Sequence, residues 1–147
     1  ELDLAMGEKN FVKFGTSCNT TKDDASSTFL VLSTSGGKLQ YYDYATSAYK
    51  DTGLTASTVN TTYSSQYHVL TTVDFKAKTE TVVITPYVSG VLNEEGAVTL
   101  NLDITNATAT SFSMIGVSHA TSGGTIHVLT DNIAVRTAAS SASSEAE

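Results

Sequence analysis

The sequence has no tryptophan, one proline (Pro86), one cysteine (Cys18) and one arginine (Arg136) in 147 residues. Each shortage excludes something. A single cysteine permits no disulfide within the chain, so the fold must rest on its core. Without tryptophan there is no large planar platform of the kind that suits a crystalline cellulose surface. Eight basic against fifteen acidic residues give a formal charge of −7. A phosphate backbone needs a basic surface, so nucleic acid is not expected as a partner. No apolar run approaches the roughly 20 residues that span a bilayer as a helix, and no membrane partner is expected. No window shows a sustained i, i+3, i+4 apolar stripe, which argues against long amphipathic helices.

Threonine and serine are what the chain has in abundance, 24 and 18 residues. Threonine favours strands, and a charged fraction of only 16% leaves few side chains for helix surfaces. The segment 29–75 is the clearest. Short apolar-rich runs at Thr28 to Ser33, Lys38 to Tyr44 and Tyr67 to Phe75 are separated by Ser/Gly/Thr/Asn turns. The same pattern recurs from Glu1 to Met6, where Leu2, Leu4 and Met6 share one side, and in Phe11 to Phe14, Ala48 to Asp51, Thr79 to Thr85, Val98 to Ile104, Ser111 to Ser118 and Thr125 to Val135. Ten or eleven short strands at this spacing predict an all-β fold, a two-sheet antiparallel β-sandwich. Glu1–Met6 and Phe11–Phe14, joined by Gly7-Glu8-Lys9-Asn10, read as a hairpin. Residues 15–27 and 53–60 read as loops. The sandwich is expected over residues 1–136. The small, polar residues 137–147 read as a flexible linker, which would tether the module to a neighbour, a catalytic domain being expected.

Taken in order, GGKLQYYD, DTGLTAS, QYHVLTTVDFKAKTETVVI, SFSMIGVSH and GTIHVLTDNIAV span about 110 residues. They resemble the concanavalin A-like jelly roll of bacterial non-catalytic carbohydrate-binding modules. In those modules a WYHV-like strand, a D-x-x-x-x-T turn and a closing DNI-V strand recur; here Gln66 stands where Trp is usual. With tryptophan missing and lysines at strand and turn positions, the chain is most similar to the pectin-binding modules attached to polysaccharide lyases. The resemblance implies a secreted, extracellular domain that binds plant cell-wall polysaccharide, pectic homogalacturonan first. It also implies a structural calcium site, with Asp131 and Asn132 from the closing strand and Asp3 from the opening strand matching by position. Calcium requires six to eight oxygens, of which these side chains supply a part.

The residues give their own candidates. Lys38, Gln40 and Tyr42 alternate and so share one face of a strand. Lys13 lies in the strand Phe11–Phe14, and Lys50 follows Tyr49. A uronate polymer presents one carboxylate per sugar, which ammonium groups along a sheet face would meet. Tyr42 and Tyr44 fall on the polar side of the alternation, where a ring could stack on a sugar; Tyr41 and Tyr67 fall on the apolar side and read as core. The bland alternative for each lysine is a solvated residue that keeps a strand edge from aggregating.

An enzyme is not expected. Retaining glycosidases on this fold need two carboxylates about 5–5.5 Å apart on one strand. Glu1-Leu2-Asp3 begins such a pattern, but the next acid is Glu8, beyond Gly7. His68, His119 and His127 have no G-x-S-x-G elbow to serve. The rival to a glycan-binding module is a structural or adhesive sandwich with no glycan ligand.

Overall fold

A computed structural model describes residues 1–15, 28–59, 63, 65–104, 114–119 and 126–137. Cys18, residues 16–27 of the loop expected at 15–27 and residues 138–147 of the linker expected at 137–147 lie outside them. Eleven strands run in chain order: β1 (Leu2–Met6), β2 (Asn10–Gly15), β3 (Thr28–Ser35), β4 (Lys38–Asp43), β5 (Ala48–Thr55), β6 (Ser65–Asp74), β7 (Thr79–Val88), β8 (Val91–Leu92), β9 (Val98–Asp103), β10 (Met114–His119) and β11 (Val128–Asp131). One 3-10 turn, Glu94–Gly96, is the sole helical element among the described residues. No helix there is long and apolar enough to cross a membrane.

The strands form two antiparallel sheets. The first has the order β11-β1-β6-β7-β8, with β9 also on β7; the second is β10-β2-β3-β4-β5. This is the expected all-β sandwich. Its core lies where the inner faces meet. Leu2, Leu4 and Met6 of β1, Tyr67 and Val69 of β6, and Val82 and Ile84 of β7 pack on Val12 and Phe14 of β2, Leu30 and Leu32 of β3, and Leu39 of β4. Burying each large aliphatic side chain favours the fold by roughly 1.5–3 kcal/mol, so this double row is the main stabilising element.

The expected hairpin between Glu1–Met6 and Phe11–Phe14 does not form. β1 pairs with β6 and β11, whereas β2 pairs with β3 and β10. The chain crosses from one sheet to the other at Gly7-Glu8-Lys9, where Lys9 takes a left-handed conformation (φ 59°). Long-range hydrogen bonds hold the crossing: Gly7 N–H donates to His127 O, and Lys9 N–H to Thr34 O. The Thr34 hydroxyl lies 2.5 Å from Gly7 O, and the Asn10 side chain donates to Glu8 O at 2.9 Å. Glu8 itself is buried, with its carboxylate accepting from Gly36 N–H at 2.8 Å. The two apolar rows therefore face each other across the core instead of lying side by side.

Other boundaries also moved. The β3–β4 hairpin turns at Gly36 and Gly37, both with positive φ (59° and 78°), as a two-residue hairpin loop of this twist requires. β5 runs on past Asp51 to Thr55, because Gly53 at φ 89° absorbs an irregularity opposite Leu39. Pro86 is tolerated inside β7 because β9 ends opposite Ile84 and β8 begins opposite Tyr87; between them Pro86 is used as an acceptor, by Asn93 N–H. β11 ends at Asp131. Asn132, at φ 51°, turns the chain out of the sheet, so Ile133–Val135 are not strand.

Candidate functional site

The outer face of the second sheet near β5 is the first surface of interest. Asp43 and Ala48 close the β4–β5 turn, and counting back places Tyr42 opposite Tyr49 and Gln40 opposite Asp51. The turn is built by Asp43, whose carboxylate accepts from Ala45 N–H (3.0 Å) and the Thr46 hydroxyl (2.9 Å). Tyr42 sits between two other rings. Its centroid lies 5.0 Å from that of Tyr44 and 5.1 Å from that of Tyr49, both edge-to-face at 73°. Such pairs favour their geometry by roughly 0.5–1.5 kcal/mol beyond burial, which fixes the rings as a unit. Gln40 and Lys38 continue the same face.

Lys38, Gln40 and Tyr42 share a face, as the alternation required. Lys50 does not join them: it stands opposite Tyr41 and belongs to the other face of the β4–β5 ribbon. Lys13 is 5% exposed, in the middle of the second sheet, with its ammonium 5.9 Å from the Phe11 ring centroid. It is not the exposed face lysine that the sequence suggests. Tyr67 is buried and Tyr41 packs on the core, as expected.

Both outward lysines already have partners. Lys38 Nζ lies 3.1 Å from Asp51, and Lys50 Nζ lies 2.6 Å from Asp43. The hydrogen bond from Lys50 holds the Asp43 carboxyl below the ordinary carboxylate range, against a slight opposing effect of burial, and Asp43 in turn raises Lys50. Asp51 is lowered first by the Gly53 N–H at 2.8 Å and then by Lys38. The four charges cancel, so the surface has no net positive charge to offer a polyanion. The two acids went unread because their role depends on cross-strand register. The signal was present, since Asp43 in DYATSA marks a turn from which the register can be counted.

A second cluster gathers on the outer face of the first sheet. Asp3 stands opposite His68 on β6 and Asp131 on β11. One Asp3 oxygen lies 2.8 Å from His68 Nδ1 and accepts from the Tyr87 hydroxyl at 2.9 Å. The other accepts from the Asn132 side-chain amide at 2.7 Å. Burial pushes the Asp3 carboxyl up, but hydrogen bonds from Asn132, His68 and Tyr87 outweigh it and hold it below its usual value. His68 Nε2 lies 3.3 Å from Glu1, which also pairs with Arg136. Asp3 and Asn132, two of the expected calcium ligands, do come together, with Asp131 as the neighbour of both. Their geometry is that of a hydrogen-bonded carboxylate: Asn132 turns its amide nitrogen to Asp3, and both Asp3 oxygens face donors. Among the described residues, no group of three or more His, Cys, Asp or Glu side chains is placed to hold a metal. Glu1, His68 and Tyr87 were not foreseen as a cluster, since they meet only across strands.

Comparison with family models, with curated proteins and with solved structures finds no match.

Proposed function

We propose that the domain is a non-catalytic carbohydrate-binding module whose platform is the Tyr42–Tyr44–Tyr49 face. The observation that supports this reading most is the ring cluster itself: three tyrosines locked edge-to-face on an outer sheet face, flanked by Gln40 and the Lys38–Asp51 pair. Ring faces stack on the C–H faces of sugars, while the amide and the charged pair meet hydroxyls. A plant cell-wall polysaccharide is the ligand class, with pectic homogalacturonan first. Lys50 lies on the other face, and Lys38 is already paired with Asp51, so a uronate shares or displaces an existing partner and gains little from the ion pair. Stacking therefore supplies more of the affinity than ion pairing.

A non-catalytic role fits the acids. A general acid needs a carboxyl whose pKa is raised toward neutrality in a reachable site. Asp3, Asp43 and Asp51 are all held low. Glu80 is raised, to about 7, but is 1% exposed, inside the sandwich.

Affinity gel electrophoresis tests the proposal, with homogalacturonan of low and high methyl-ester content, xyloglucan and mixed-linkage β-glucan in the gel. Retardation by homogalacturonan, reduced in Tyr42→Ala, is expected. No retardation in any gel would favour the structural or adhesive reading. Release of unsaturated product from the same polymers would identify an enzyme.

A further inference from the structure

A groove of about 530 Å³ opens where the end of β5 meets the corner formed by β6, β7 and the 3-10 turn. Its volume falls in the range of roughly 300–1,000 Å³ that small-molecule sites occupy. None of its described lining residues is charged, in a chain of net charge −7. With hydrogen-bonding groups but no opposite charge to meet an ionised one, the groove suits an uncharged ligand better than a charged one.

Its walls are fixed in advance. The Tyr67 hydroxyl donates to Thr55 O at 2.6 Å and ties β6 to the end of β5. Asn93 N–H donates to Pro86 O at 2.9 Å and seats the 3-10 turn on β7. The Tyr87 ring is oriented by its hydroxyl, which is bound to Asp3. Two side-chain amides on its border, by contrast, are not tied up. Asn93 precedes the 3-10 turn yet makes no capping hydrogen bond with its side chain. That side chain is seated on Gly96, where an added Cβ would come within 2.8 Å of the Asn93 amide nitrogen and 3.3 Å of Pro86. Gln66 makes only a long contact, 3.5 Å, to Tyr63 O. Two side-chain amides with free donors and acceptors thus border a fixed groove that also has an aromatic ring and a proline. Amides beside an apolar wall suit a ligand with alternating hydroxyls and C–H faces.

We propose that this groove is a second binding site, taking the end or a branch of an uncharged sugar chain, with Asn93 and Gln66 hydrogen-bonding its hydroxyls against Tyr87 and Pro86. The proposal rests on the reading of the domain as a glycan-binding module but not on the tyrosine face. The β4–β5 register runs from Tyr42 opposite Tyr49 to Lys38 opposite Thr55, which lines the groove. One branched polymer could therefore span both sites.

Backbone-amide NMR titration with xylotetraose, cellotetraose and β-1,4-galactotetraose, beside a separate titration with trigalacturonate, tests it. At least one neutral tetrasaccharide should shift the amides of Gln66, Tyr87 and Asn93. Asn93→Ala should weaken that binding by about tenfold, the loss of one well-made hydrogen bond. Gly96→Ala, whose added Cβ must push the end of the Asn93 side chain aside and press on the Pro86 ring, should weaken it too, with shifts confined to the surroundings of these residues. Shifts confined to Tyr42, Tyr44 and Tyr49, or no shift with any neutral tetrasaccharide, would overturn the second site. In that case trigalacturonate shifts at the tyrosines would show that the platform reading survives. Groove shifts with a silent tyrosine face would sustain the second site and remove the platform.

Discussion

Asp3 and His68 stand opposite each other on β1 and β6, with the imidazole Nδ1 2.8 Å from the carboxylate. Around that pair the first strand, the middle of the first sheet and the segment after β11 are fastened together. Tyr87 and Asn132 donate to the same carboxylate, and Glu1 holds His68 and Arg136. The backbone repeats the connection, since Ala134 N–H donates to Glu1 O and the Glu1 ammonium to Ala134 O. Asp3→Ala should cost about 1–3 kcal/mol in urea unfolding, because three donors lose one acceptor. Sign follows from the depressed carboxyl: the contribution is present above its unfolded value of 3.8 and disappears as pH falls through the lower folded value. The gap between wild type and Asp3→Ala should therefore close in acid. A gap that persists unchanged at pH 2 would show that Asp3 acts by packing alone.

Glu80 works in the opposite direction. It projects inward from β7, with the Thr71 hydroxyl donating to one oxygen at 2.7 Å and the other oxygen buried without a partner. Burial pushes its carboxyl up to about 7, and the Thr71 bond offsets only part of that. A raised folded value means that stability from this group is complete below the unfolded value of 4.5 and is lost as pH rises through 7. The loss amounts to about 3 kcal/mol by pH 8. Glu80→Gln should flatten the stability profile between pH 5 and pH 8. Equal slopes for the two proteins in that range would rule out a protonated Glu80 in the core.

Much of this was legible in the chain. Leu2-Leu4-Met6, Tyr67-Val69 and Val82-Ile84 recur at period two and are buried, whereas Phe29 to Leu32 is a continuous apolar run buried on both faces. Alternation says which side of a strand faces inward, but not which strand lies beside it. The three residues Gly7-Glu8-Lys9 suit a hairpin and a crossover equally well. The choice was made by Thr34 and His127, far along the chain. Register was hidden for the same reason, so Lys38 and Lys50 read as free cations while their acids stood on the neighbouring strand. Lys13 read as a sheet-face lysine because it lies within a strand, yet the segment is buried on both faces: Phe11, Val12, Lys13 and Phe14 all fall at 5% exposure or below. Local signals did mark the true turns at Gly36-Gly37 and Asp43, where backbone geometry constrains residue type directly.

Tyr67 gives a check on the joint between the sheets. Its ring is in the core, and its hydroxyl is the tie to Thr55 at the end of β5. Burial pushes the phenol up to about 12, with a hydrogen bond from Ser65 opposing. In an alkaline titration Tyr67 should ionise after the surface tyrosines, and only as the fold opens. Tyr67→Phe should cost about 1 kcal/mol, the net worth of one hydrogen bond. A phenol at position 67 that titrates reversibly near pH 10 would mean that the joint is open to solvent.

The tyrosine face separates stacking from ion pairing as the basis of recognition. Tyr42 lies between Tyr44 and Tyr49, so Tyr42→Ala removes the central ring and both edge contacts. Affinity for homogalacturonan should fall by about tenfold, in line with the roughly 0.5–1.5 kcal/mol of an aromatic pair together with the ring's own contact with the sugar. Lys50→Ala should leave affinity unchanged, because Lys50 is on the other face and paired with Asp43. Lys38→Ala should change it by less than about threefold. An exposed pair is worth roughly 0–1 kcal/mol, and a uronate that replaces Asp51 exchanges one carboxylate for another. By the same reasoning Asp51→Asn should strengthen binding to de-esterified polymer by freeing the Lys38 ammonium, and that gain should fade with salt, as screening over about 8–10 Å dictates. Isothermal titration of the four variants against homogalacturonan of low ester content reads all of this together. A large loss in Lys38→Ala with little in Tyr42→Ala would reverse the order and make the ion pair, not the ring, the basis of recognition.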